Sequence, residues 1–199
     1  MYCTVRGLSL IDLPDPARWV GVLGSLDPSE AECRMAMEWA TMLASESRVV
    51  VSRAHGELAH ATQVGTLSVP TGYSLTFCAT TPEEPSEAVH QERLAHTGSL
   101  VYPFDTPAQS PDHHLRRMIE ADMLLAQWVT FLIVVSDVSR IEDGNHWAVQ
   151  AAKQRGTPVF RLNSRGVAYR NPPARVAPVS WALESPLWQQ QVTTHPSRV

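Results

Sequence analysis

The chain has 199 residues, 44% hydrophobic and 18% charged, with a formal net charge of −4. That length fits one domain with a short appendage, the apolar fraction excludes wholesale disorder, and no run approaches the ~18 consecutive apolar residues of a membrane span. The acidic balance argues against the broad basic face of most nucleic-acid binders and leaves room only for a local basic pocket.

Trp19 to Gly24 (WVGVLG) is a short apolar run closed by Gly-Ser, which reads as a strand buried on both sides. Asp27-Pro28-Ser29-Glu30 is a helix start, after which Met35, Ala36, Trp39, Ala40 and Leu43 recur at helical spacing. Arg48 to Ser52 is a second strand. Gly56 to Leu67 is a helix despite Gly65, and Tyr73 to Ala79 a third strand. Pro85 to Ala95 reads as a polar helix, and Gly98 to Tyr102 as a strand stopped by Pro103. Past a proline-rich loop (103–111), Asp112 is the expected cap of a helix reaching Trp128. Leu115, Met118, Ile119, Asp122, Leu125 and Ala126 share one face of it, and Asp122 is the odd member. Phe131 to Ser136 (FLIVVS) is the strongest strand signal. A helix from Gly144 to Arg155, closed by Gly156, and a strand from Pro158 to Leu162 complete the pattern. The proline-rich tail from Asn171 carries Trp181 and Trp188, aromatics suited to docking on the body or on a second subunit.

Strands alternating with helices of roughly 10–15 residues predict an α/β fold with a doubly wound, mostly parallel sheet. The expected organisation is an N-terminal extension (1–18), a Rossmann-like domain (19–165) and a C-terminal tail (166–199). Ligands of such sheets bind at the carboxyl ends of the strands, near the point where the winding reverses. The loops to inspect are therefore Gly24–Glu30, Ser52–His60, Tyr102–His114 and Ser136–His146. In the first, the small residues Gly24 and Ser25 let a ligand approach backbone N–H groups, or simply make a tight turn.

No basic start followed by a long apolar run opens the chain, so no secretory signal is expected. Cys3, Cys33 and Cys78 are far apart and form no metal pattern, which fits a reduced cytoplasmic compartment. No cofactor and no metal are expected. His55 and His60 are five apart, a spacing that does not stack them on one helical face.

The motifs VGVLGS, VVVSRAHG, YP-x-x-TP, FLIVVSD and DGNHWAVQAAKQRGTPVF, in this order, resemble the Rossmann-like domain of the DNA-processing protein A (DprA/Smf) family, within the SLOG superfamily. The resemblance covers about Trp19 to Leu162 and runs without a gap from Phe131 to Phe160. The family's flanking modules, a helical N-terminal region and a C-terminal winged helix, are not expected here. The resemblance implies a homodimer that binds single-stranded DNA and hands it to a recombinase partner. Through more distant relatives it also implies nucleotide binding or cleavage of nucleotide glycosidic bonds.

The ligand positions carried over on the matching motifs are Gly24, Ser25, Arg53, His55, Gly56, Gly144 and Asn145, with Arg116 and Arg117 as substitute phosphate contacts. This sequence departs from the family at several of them. Leu26 stands where the family has arginine after Gly-Ser, and Arg53 and Ala54 stand for two glycines. Leu58 replaces the aspartate of the G-I-D motif. The family's R-N-R group falls on Ala121, Asp122 and Met123, just over one turn beyond Arg116 and Arg117. Around the selected loops Asp27, Glu30, Glu57, Glu120, Asp122, Asp137, Glu142 and Asp143 outnumber Arg53, Arg116, Arg117 and Arg140, so the phosphate pocket reads as eroded.

The expected function is non-catalytic binding of single-stranded DNA or a nucleotide at the strand tips, with no membrane partner. One alternative is an enzyme acting on a nucleotide or nucleoside, with Glu57 and Asp122 as its carboxylates. The loop after FLIVVSD has nothing like the Pro-Gly-Gly-x-Gly-Thr motif of the cytokinin-activating relatives. The other is a ligand-free protein-interaction module. Trp147, one turn into a helix that starts at the crevice, is placed either to stack on a base or to pack in the core.

Overall fold

The computed structural model describes residues 4–6, 14–81, 98–135, 145–162, 166 and 168–170. Eight strands appear in chain order: β1 (Thr4–Arg6), β2 (Trp19–Gly24), β3 (Val49–Arg53), β4 (Tyr73–Phe77), β5 (Gly98–Tyr102), β6 (Phe131–Val135), β7 (Val159–Leu162) and β8 (Ala168–Arg170). The helices between them are α1 (Glu30–Ser45), α2 (Glu57–Leu67), α3 (Pro111–Trp128) and α4 (His146–Gln154). The strands form one sheet in the order β1-β5-β4-β3-β2-β6-β7-β8. From β5 to β7 every pairing is parallel, and the edges β1 and β8 are antiparallel. Winding starts at β2, runs outward to β5, then returns to β6 beside β2. The reversal therefore lies between β2 and β6, where Gly24 is in register with Val135.

Both faces of the sheet are covered, which is why the strands read as unbroken apolar runs. Trp19, Leu23, Val49, Val51, Leu132 and Val134 face α3 and α4, where Ala121, Leu125, Ala148 and Ala152 meet them. Val20, Val22, Val50, Ile133 and Val135 face α1 and α2, against Ala36, Ala40, Leu43 and Leu58. Close approach explains two glycines. A Cβ on Gly65 of α2 would lie 2.2 Å from the Met37 carbonyl oxygen on α1. On Gly24 it would lie 2.3 Å from Leu58 Cδ1 and 2.4 Å from the Val135 carbonyl oxygen.

The predicted elements recur with boundary shifts of one or two residues. The start at Ser29 is a capping box: Ser29 Oγ accepts from the Glu32 N–H at 3.3 Å, and Glu32 Oε2 accepts from the Ser29 N–H at 2.7 Å. The cap of α3 is corrected. Ser110, not Asp112, accepts from the His113 N–H at 3.2 Å, and Pro111 occupies the first turn, where its missing N–H costs nothing. The helix expected from Gly144 starts at His146, with Asn145 as its N-cap residue. The edge strands β1 and β8 were not anticipated. They come from segments read as extension and tail, and at three residues each they are too short to show a pattern. The expected helix from Pro85 to Ala95, the loop from Ser136 to Gly144 and the tryptophans of the tail lie outside the described residues.

Candidate functional site

The carboxyl ends of the parallel strands share one edge of the sheet, and the amino ends of α3 and α4 rise beside them. Between α3, α4 and the turn after β2 lies a crevice of about 220 Å³. It is lined by Leu26, Leu115, Met118, Ile119, Asp122, His146 and Trp147. It sits at the winding reversal, where the fold rule directs attention. Leu26 and Leu115 are 40% and 48% exposed, two of the five large hydrophobic side chains left exposed among the described residues. The other three, Met37, Met42 and Val64, line a groove between α1 and α2, far along those helices from the strand tips.

Leu115, Met118 and Ile119 share the face of α3 that carries Asp122, Leu125 and Ala126. Only the residues further along that face, with Asp122, Leu125 and Ala126, are buried, because the first turns of α3 stand above the ends of the strands. The apolar stripe thus passes from core to crevice wall.

Arg53 does not line the crevice but is paired with Asp122, which does. Arg53 is the last residue of β3 and, by alternation, points toward α3. Its Nη2 donates to the Asn145 Oδ1 at 2.7 Å and to the Gly24 carbonyl oxygen at 3.1 Å, and it pairs with Asp122 Oδ2 at 3.1 Å. One nitrogen therefore ties together the ends of β2 and β3, α3 and the start of α4. Gln63 of α2 adds a bond from Nε2 to the Arg53 carbonyl oxygen at 3.3 Å. Burial raises the Asp122 carboxyl to a pKa of about 6, against the pull of Arg53 in the other direction. The cost of desolvation thus exceeds the attraction within the pair. Asp122 Oδ1 is buried and makes no hydrogen bond.

The other expected positions have settings of their own. Ser25 is buried, and its Oγ is spent locally, accepting from the Asp27 N–H and donating to the Asp27 carbonyl oxygen, both at 3.1 Å. Gly56 precedes α2 with φ +92°, a backbone conformation that favours glycine. His55 is held neutral, its pKa lowered to about 4 by burial first, then by the positive fields of Arg53 and His114. Both its ring nitrogens are buried without a partner. Glu57 is exposed at the first position of α2, while Asp122 is buried on α3, across the sheet, so the two carboxylates packed on opposite faces are not presented as a pair. Gly144 lies outside the described residues.

Arg116 and Arg117 differ in setting. Arg117 is 4% exposed; its Nη2 donates to Thr106 Oγ1 at 3.1 Å, and its Cζ lies 4.9 Å from the centroid of the Phe104 ring. Arg116 is half-buried. Thr106 and Phe104 sit in the loop after β5, and nothing in their spacing marked them as partners of an arginine. The two tryptophans beside β6 also separate. Both are half-buried, but Trp128 packs on the core, stacking on Trp19 at 6.0 Å and meeting Phe77 edge-on at 5.4 Å, whereas Trp147 stands in the crevice wall.

No protein-family model and no curated protein matches the chain. Solved structures share its fold. DNA processing protein A from Helicobacter pylori, described for its single-stranded DNA binding mode, superimposes with a TM-score of 0.63 at 16% identity, over 80% of this chain and 71% of that one. The same protein from Streptococcus pneumoniae gives a TM-score of 0.63 at 16% identity, and this chain spans 80% of its own length but only 54% of that protein. The molybdenum cofactor carrier protein of Chlamydomonas reinhardtii gives 0.50 at 17% identity, over 72% of this chain and 75% of that one. The fold is therefore DprA-like and Rossmann-like, as the motif order suggested. Among the described residues, no helix is long and apolar enough to cross a membrane.

Proposed function

We propose that this chain is a non-catalytic, DprA-like domain that binds single-stranded DNA, or a nucleotide, across the tips of its parallel strands. The observation that carries this reading is the open crevice at the winding reversal, with Trp147 and apolar side chains in its walls. Unpaired bases offer ring faces to such walls, and stacking on an aromatic ring works for any base. Paired bases do not offer them. The likeness to DNA processing protein A, described as a single-stranded DNA binder in H. pylori, supports the same ligand class.

In this reading Gly24, Ser25 and Gly56 bring backbone close to the strand. Arg53 holds Asp122 and Asn145 in place, while His55, Arg116 and Arg117 face the ligand. The reading of an eroded phosphate pocket is supported by the Arg53 Nη2, which is committed to Asp122, Asn145 and Gly24. A homodimer, a recombinase partner and a cytoplasmic location belong to the same proposal. They are supported by the motif resemblance and, for location, by Cys33 and Cys78, which form no disulfide among the described residues.

The test is fluorescence anisotropy with a labelled oligo(dT) of about 20 nucleotides, titrated at salt concentrations from roughly 50 to 200 mM. Binding that weakens steadily with salt, and a weaker response to duplex DNA, is the expected result. A signal absent at all salt concentrations overturns the reading.

A further inference from the structure

We propose that the groove between α1 and α2 is a docking seat for the chain's own tail, occupied by the segment from Trp181 to Val192. The groove encloses about 470 Å³. Met37 and Met42 line it from α1 and Val64 from α2, and these side chains are 37%, 41% and 43% exposed. A single exposed apolar side chain is ordinary, but three gathered in one groove mark an interaction surface. The hydroxyls in its lining are already used. Thr41 Oγ1 shares its hydrogen between the Met37 and Gly65 carbonyl oxygens, at 2.9 and 3.1 Å, and Ser68 Oγ donates to the Gly65 carbonyl oxygen at 2.7 Å. The charged residue of the lining is Glu38, which repels a polyanion. The occupant that fits is therefore an apolar stretch of protein, and methionine side chains adapt to bulky rings.

The tail supplies such a stretch. From Trp181 to Val192 it reads WALESPLWQQQV, with Trp181, Leu183, Leu187 and Trp188 as bulky apolar groups and Glu184 as the one charge. That segment lies outside the described residues, but the chain leading to it is placed. Trp39 Nε1 on α1 donates to the Gly166 carbonyl oxygen at 2.9 Å, so the chain is held against α1 just before it enters β8. β8 then runs antiparallel to β7, with Arg170 in register with Phe160, and ends at the amino edge of the parallel strands. Met42, Val64 and Ser68 stand toward that same edge, near the ends of α1 and α2. Both helices pack over β3, four strand spacings from β8. The path is roughly 20 Å across the sheet and about 10 Å through one helix layer. The stretch from Arg170 to Trp181 reaches about 36 Å when extended, which covers it. A tethered segment also acts at an effective concentration near the millimolar range, which favours the chain's own tail over a second copy at micromolar concentration. The seat lies on the opposite face of the sheet from α3 and α4 and is independent of the proposed DNA ligand.

The test places p-benzoylphenylalanine at Val64 of the full chain and irradiates a mixture of isotope-labelled and unlabelled protein. The expected product is a cross-link to a peptide containing Trp181 or Trp188 of the same copy, with a yield that holds when the protein is diluted about tenfold. Cross-links that join labelled to unlabelled copies, or the absence of any cross-link to the tail, overturn the seat. Thermal unfolding gives a second readout. Met42→Asp puts a charge into the groove, which an open, solvated groove tolerates and a seated tail does not. It is expected to lower the Tm by about 2–4 °C, and that loss is expected to vanish when Trp181→Ala and Trp188→Ala are also present. The same Tm shift with and without the two tail tryptophans overturns the seat.

Discussion

Arg53 and Asp122 meet inside the protein, Nη2 to Oδ2 at 3.1 Å, with side chains only 5% and 4% exposed. The pair joins the end of β3 to the middle of α3, and through Asn145 and the Gly24 carbonyl it also holds β2 and α4. Both charges were taken from water, so neither tolerates the loss of the other. Asp122→Ala and Arg53→Ala are each expected to cost about 3–5 kcal/mol. The double variant Arg53→Met/Asp122→Leu should cost markedly less than the sum. Urea unfolding of the four proteins in a double-mutant cycle measures the coupling, and additive single losses would show that the contact is energetically idle.

The same region controls how stability varies with pH. His55 has a folded pKa of about 4 against the usual 6.5. As pH falls from 6.5 to 4 the unfolded chain takes the proton first, so His55 removes stability. Asp122 has a folded pKa of about 6 against the usual 3.8. As pH falls from 6 to 3.8 the folded protein takes the proton first, so Asp122 adds stability. Each effect is on the order of 2–3 kcal/mol over its window, and they oppose each other between about pH 4 and 6. Asp122→Asn should therefore lose Tm steeply on acidification, whereas His55→Phe should gain Tm over the same range. Identical slopes for the wild type and both variants would disprove the opposition.

Gly65 lies inside α2, where replacing glycine by alanine normally stabilises a helix by about 1 kcal/mol. Here the new methyl would meet the Met37 backbone of α1 at 2.2 Å. Gly65→Ala should be destabilising instead, by about 1–3 kcal/mol, because backbone cannot move aside as a side chain can. Denaturant titration reads the sign directly, and a stabilised variant would mean that α1 and α2 can separate without loss.

Trp147 and Trp128 should exchange roles in a binding and a stability assay. Trp147→Ala is expected to weaken oligo(dT) binding by about 1–3 kcal/mol while changing Tm little. Trp128→Ala is expected to cost about 3–5 kcal/mol of stability, because its ring fills the space between Trp19 and Phe77. Equal binding by wild type and Trp147→Ala would remove the stacking wall from the proposed site.

Much of the site was legible one residue at a time. Gly24, Arg53 and Asn145 stand in the loops chosen by the winding rule, Asp122 stands out as the odd member of an apolar helix face, and the structure gathers Gly24, Asn145 and Asp122 around one nitrogen of Arg53. Their roles were not legible. Gly24 is needed because Leu58 and the Val135 carbonyl press against it. Nothing in RAHG said that Arg53 would turn inward to a carboxylate 69 positions later in the chain. Arg117 stood in the sequence beside a near-twin, Arg116, and only the loop after β5 distinguishes them, by placing Phe104 and Thr106 over one guanidinium.

Local chemistry by itself determined the elements and their winding. Apolar runs of four to six residues, a capping box at Ser29 and proline between segments specify strands and helices through contacts a few residues apart. Tertiary structure alone decided where the apolar stripe of α3 stops being core and becomes a crevice wall, and which buried charges find partners. Both depend on how far a helix overhangs the sheet and on groups remote in the chain. No periodicity encodes that distance.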